Sequence, residues 1–137
     1  MTMTRKTLIP LFLLTVTCTV SAQVGSDRLV NAAREARNWL IYSGGYFSNR
    51  YSGLTQITPD NAKTLELKWI YQAAAAGAWQ TSPLVVDGVM YLPQRPNDVV
   101  ALDAKSGSVF WLTRHTLDPN PIECCGPIHR GLALLCY

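Results

Sequence analysis

Four short apolar runs, separated by turn signals, lie between Pro83 and Leu112 and dictate how this stretch can fold. Pro83 to Val86 ends at Asp87-Gly88, a pair that tolerates positive φ and suits a tight hairpin. Val89 to Leu92 continues beyond it, and Pro93 to Asp98 reads as a polar turn. Val99 to Asp103 is a third strand, Lys105-Ser106-Gly107 a turn, and Ser108 to Leu112 a fourth strand. Connections this short join only antiparallel neighbours, so the four runs predict one antiparallel meander.

The flanking segments are less regular. Ser26 is a candidate N-cap for a short helix that places Leu29, Ala33 and Ala36 on one face. Residues 42–53 are rich in Tyr, Ser, Gly and Asn and read as an ordered loop with aromatic anchors. Thr58-Pro59 signals a helix start, Thr as N-cap and Pro at the first position. That helix must be brief, because Leu65 to Tyr71 alternates like a strand. Ala73 to Ala76 is a spacer ending at Gly77. Asp118 to Pro121 is a loop, and Gly131 to Tyr137 starts another apolar strand. The chain stops there without a polar tail, which reads as a strand cut short; the other reading is a natural edge strand.

The first 22 residues read as a secretory signal. Arg5 and Lys6 precede an apolar run from Leu8 to Val16, and Val20-Ser21-Ala22 supplies the small cleavage residues. The run is too short to span a bilayer. Cleavage after Ala22 removes Cys18 and takes the formal net charge from +3 to +1. A nearly neutral mature chain gives no reason to expect nucleic acid as a partner. Three cysteines remain, Cys124, Cys125 and Cys136. Neighbouring Cα atoms lie ~3.8 Å apart, shorter than the ~4.4–6.8 Å of ordinary disulfides, so a bond between Cys124 and Cys125 would close a strained ring. Such rings belong more often to functional sites than to structural staples. In an oxidising compartment the two can pair and leave Cys136 over; metal ligation or two separate disulfides are the alternatives. No C-x-x-C-H run occurs for covalent haem attachment.

Ala101, Gly107 and Trp111 stand at positions 1, 7 and 11 of an eleven-residue stretch, with Asp103 at position 3. Small Ala leaves room on the sheet, Gly takes the turn, and Trp extends a flat ring towards a neighbouring sheet. This spacing resembles the tryptophan-docking motif of quinoprotein propellers. Further matches are Asn38-Trp39-Leu40, Arg50-Tyr51-Ser52, Leu54 to Pro59, Leu67-Lys68-Trp69, the stretch Ser82 to Trp111, Cys124-Cys125-Gly126 and Arg130-Gly131. On these residues the chain resembles the N-terminal part of a pyrroloquinoline quinone (PQQ)-dependent alcohol dehydrogenase.

The resemblance implies an all-β fold: about one and a half blades of an eight-bladed β-propeller, preceded by short N-terminal helices. Residues 1–22 are then the signal peptide, 23–64 a helical and loop segment, and 65–137 an incomplete propeller, with Leu65 to Tyr71 closing the last blade. Eight blades need at least ~320–360 residues, so a truncated or frameshifted product is expected, unstable when isolated because blades bury their faces only against neighbours. Cys124 and Cys125 match the family's disulfide ring, which stacks on the face of PQQ. Arg130 matches the arginine that reaches a cofactor oxygen. Gln80 falls where many members carry a cofactor-contacting glutamate; the amide keeps the hydrogen bonds and loses the charge. The calcium ligands and catalytic aspartate are expected in later blades. His115, His129, Trp39, Trp69 and Trp79 are assigned to surface or packing, and Asp87 and Asp103 to turns. The implied activity is a periplasmic or secreted oxidation of a small alcohol or sugar hydroxyl, with a cytochrome c or quinone as external acceptor. A non-catalytic propeller scaffold and a truncated product without function are the competing readings; a scaffold has no need of a cysteine lid.

Overall fold

In the computed structural model, residues 24–74, 76–116 and 131–134 are described. The meander forms where the turn chemistry predicts it. Strands β1 (Leu84–Val86), β2 (Val89–Gln94), β3 (Asp98–Asp103) and β4 (Val109–Thr113) make one antiparallel sheet in the order β1-β2-β3-β4. Asp87 and Gly88 carry φ of 50° and 87°, the paired positive values of a tight hairpin turn. At the next reversal β2 runs two residues further than the sequence suggested, to Gln94. The turn proper is then only Arg95 to Asn97, with a cis Arg95-Pro96 peptide. At the third, the Asp103 carboxylate accepts backbone N–H bonds from Lys105 (2.7 Å) and Ser106 (3.1 Å), which hold it below the ordinary carboxylate range. Asp87 and Asp103 are thus turn residues, as expected.

Register decides what each residue touches. Leu84 faces Tyr91, Tyr91 faces Ala101, and Ala101 faces Trp111. This row lies on one face of the sheet, and its centre is the smallest side chain. Over fully buried Ala101 the Tyr91 and Trp111 rings approach to 6.0 Å between centroids, tilted by 50°. Trp111 is expected to reach a neighbouring sheet, and none lies among the described residues. The ring meets Tyr91 of its own sheet and stays 45% exposed.

The N-terminal segment covers the same face. Val24, Ala32 and Leu40 join Leu84, Val86, Tyr91 and Ala101 in one apolar cluster, with Leu29, Leu132 and Leu134 packed against it. Full burial of one such aliphatic side chain contributes roughly 1.5–3 kcal/mol. The helix differs from expectation. Helix α1 (Ser26–Val30) has Gly25 at its N-cap rather than Ser26, and a 3-10 turn over Ala32–Arg34 follows. The break at Asn31 shifts the phase, so Ala32 is buried while Ala33 is exposed. Trp39 then pairs its backbone with Val85: each N–H donates to the other's carbonyl, at 2.8 and 3.0 Å. Arg28 secures the arrangement, donating to Glu35 (2.7 Å) and to Asp87 in the β1–β2 turn (2.8 Å). Asn38 donates to Glu35 and accepts from the Asp87 N–H.

Residues 42–70 follow a different course. The Thr58 start yields only a turn and a 3-10 element over Ala62–Thr64. Its N-cap is Asn61, whose carboxamide oxygen accepts the Thr58 N–H. Leu65 to Tyr71 forms no strand ladder, which corrects the alternation reading. A strand needs a partner, and none of the described residues supplies one; Leu67 remains 76% exposed. Trp69 is the exception. Its indole N–H donates to the Ala104 carbonyl at 3.3 Å, and its ring lies on the backbone of Gly107. A Cβ at Gly107 would sit 2.5 Å from the ring, on a backbone with φ of 73°.

Two predictions follow from this packing. Gly107→Ala both clashes with Trp69 and forces alanine into positive φ, and should cost more than about 1 kcal/mol. Urea unfolding followed by tryptophan fluorescence checks it; an unchanged midpoint refutes the seat. The second concerns pH. Hydrogen bonds from Arg28 hold both Glu35 and Asp87 below the ordinary carboxylate range. Depressed folded pKa values mean the stabilisation is present at neutral pH and is lost as pH falls through them. Intrinsic-rate-corrected exchange protection of the Trp39 and Val85 amides should therefore fall below about pH 4. In Arg28→Ala it should already be low at pH 7, with little further change. PH-independent protection in the parent chain would remove this network from the docking of the segment.

Candidate functional site

The sheet has two ends, and Gln80, the sequence-derived cofactor candidate among the described residues, belongs to one of them. Gln80 precedes β1, in the segment between Gly77 and Leu84, and is exposed. It borders a narrow cleft with Trp79, Thr81, Pro93, Gln94 and Arg95. The end of β2 therefore brings Arg95 beside Gln80, a neighbour that sequence reasoning did not single out. The available signal was the Gln94-Arg95-Pro96-Asn97 turn, whose closeness to Gln80 follows only from the β1–β2 pairing. Beside Gln80, the Thr81 hydroxyl is buried with no hydrogen-bond partner. Cys124, Cys125 and Arg130 lie outside the described residues, as do His129 and the expected signal segment.

The chemistry of this end is that of hydrogen-bond donation. A guanidinium supplies five donors in a fixed fork, and Gln80 adds an amide that donates and accepts. Trp79 contributes an aromatic surface, 37% exposed. Such donors suit an anionic oxygen at the mouth of the cleft, whose own volume of about 10 Å³ admits little more than one water. His115 is exposed, and its backbone N–H donates to Asp98, consistent with a structural place. A second cleft of about 470 Å³, lined by Trp39, Tyr42, Arg50, Ser82, Pro83 and Val85, opens beside β1; there the Arg50 guanidinium lies 5.9 Å from the Tyr42 ring. Among the described residues no group of three or more His, Cys, Asp or Glu could hold a metal ion. Nor does any described helix have the length and apolarity to cross a membrane.

A single antiparallel four-stranded blade, with a tryptophan seated on its third turn, is the repeating unit of a β-propeller. Residues 39–136 match the family described as "Glucose/ethanol/alcohol dehydrogenase, beta-propeller domain". The chain belongs to this PQQ family. It is 41% identical over 102 residues to a 1-butanol dehydrogenase (cytochrome c) of Thauera butanivorans, covering 70% of this chain and 14% of that protein. Its fold matches a quinohemoprotein alcohol dehydrogenase of Pseudomonas putida HK5 with a TM-score of 0.73 and 34% identity, over 82% of this chain and 17% of the other. A europium-containing methanol dehydrogenase superposes with a TM-score of 0.66 at 33% identity, covering 78% and 19% respectively. The chain thus spans a fifth or less of the length of these relatives.

Proposed function

We propose that this chain supplies one wall of the cofactor site in a periplasmic quinoprotein that oxidises an alcohol or sugar hydroxyl. The observation that carries this reading is the family match over residues 39–136, on a blade whose Gln80 end presents hydrogen-bond donors. PQQ, when bound, supplies the hydride acceptor of the reaction. Gln80 and Arg130 hold and orient its oxygens through hydrogen bonds. Cys124 and Cys125, joined as a rigid ring, cover one face and exclude water from it. Arg130 suits its place because a guanidinium stays charged and meets carboxylate and quinone oxygens with paired donors.

The remaining parts of the site are assigned to further blades of an eight-bladed propeller: an aspartate that takes the alcohol proton, and the ligands of a metal that polarises the quinone carbonyl. Calcium suits that task. The europium in one solved relative makes a lanthanide a second candidate. The external acceptor is a cytochrome c or a quinone, the former in keeping with the similarity to a 1-butanol dehydrogenase (cytochrome c). On this reading the chain alone binds the cofactor weakly and does not turn over.

Titrating PQQ with calcium into the full 137-residue chain, then adding an alcohol and a redox dye, should give binding without dye reduction. Turnover by this chain alone would sink the assignment of the base to other blades. Cysteine mapping checks the lid. Alkylation without reductant should leave Cys124 and Cys125 unmodified in a peptide two hydrogens lighter than the dithiol. Two alkylated thiols in chain recovered from an oxidising compartment would exclude the ring.

A further inference from the structure

The β2–β3 turn and the end of β4 frame a cationic cleft that shares Arg95 with the Gln80 cleft and adds Arg114. Arg95 and Arg114 line one cavity of about 540 Å³, whose polar wall also includes Tyr71, Gln94, Asp98 and His115. Two of its acceptors are engaged. The Gln94 carboxamide oxygen (Oε1) accepts from the Tyr71 hydroxyl at 2.8 Å, and the buried Asp98 carboxylate accepts the His115 backbone N–H at 3.3 Å. Its donors are not. Neither guanidinium forms an ion pair with a described residue, and the Gln94 side-chain nitrogen is left to donate. Two guanidiniums against one carboxylate leave a positive excess in the described lining. Arg95 is also positioned: a Cβ at Gly77 would lie 3.2 Å from its Cζ, so the glycine backbone supports the guanidinium. Less side-chain entropy is then lost when a ligand binds.

We propose that Arg95 and Arg114 form a carboxylate-binding subsite for a small polycarboxylate, contiguous with the Gln80 cleft through Arg95. A forked guanidinium pairs bidentately with a carboxylate, and two of them select a ligand carrying more than one. That chemistry has two sources, the carboxylates of the cofactor itself or a free organic acid bound beside it. The subsite stands on the cleft geometry and does not require that PQQ be the occupant.

The test is calorimetric titration of the full chain with citrate and, separately, with PQQ, at low and moderate salt. Citrate should bind the parent chain. Arg95→Gln and Arg114→Gln should each weaken it about tenfold or more. Lys105→Gln, in the turn at the opposite end of the sheet, should not. Arg95→Lys, which keeps the charge without the fork, should recover part of the affinity, and circular dichroism confirms that each variant retains its sheet. PQQ binding that is tighter than citrate, and lost in the same two variants, assigns the subsite to the cofactor. Citrate binding with no preference for PQQ assigns it to a free acid, and in that case the cofactor reading fails while the subsite stands. No citrate binding at millimolar concentration, or equal losses in the Lys105 and arginine variants, overturns the proposal.

Discussion

A four-stranded sheet has two faces and two edges that must be covered, and the described N-terminal segment and Trp69 are arranged around that requirement. The N-terminal segment covers the face that carries Leu84, Val86, Tyr91 and Ala101, and its Trp39 occupies the β1 edge through paired backbone bonds. Trp69 caps the β3–β4 turn. The β4 edge receives nothing from the described residues, and all five of its residues are exposed. Apolar faces are what successive propeller blades bury against each other, while a short outer edge stays open. The unequal cover is therefore what one blade of such a fold should show.

Ala101 ties packing to sequence most closely. It is the one position in its row where a larger side chain would separate Tyr91 from Trp111, and it is fully buried. The same eleven-residue stretch contributes Gly107 as the seat of Trp69. A single short motif thus organises two aromatic contacts, one within the sheet and one from a segment 38 positions earlier in the chain. The Arg28 cluster works differently. It is partly exposed, so its contribution is modest and screened by salt. Its importance lies in joining the helix, the 3-10 turn and the first hairpin at one point.

The candidate site was legible only in part. Gln80 could be singled out from its position in a motif. Arg95 could not, because the two are fifteen residues apart and meet only when β1 pairs with β2. Leu65 to Tyr71 shows the opposite failure. Its alternation suits a strand, but a ladder needs a second chain segment, and none of the described residues takes that place. The helix near Ser26 failed for a third reason. A five-residue helix is governed by where it packs, and a break at Asn31 puts Ala32 rather than Ala33 into the core.

What the sequence determined by itself was local: the strands, their turns and the antiparallel order. Asp-Gly, Asp103 with its two backbone bonds, and short apolar runs act over a few residues and need no distant partner. Tertiary structure decided the rest. It settled which tryptophan sits on Gly107, which alanine is buried, and which arginine stands beside Gln80. Those outcomes depend on register and on packing between distant segments, where the contact made by one side chain is fixed by the position of another.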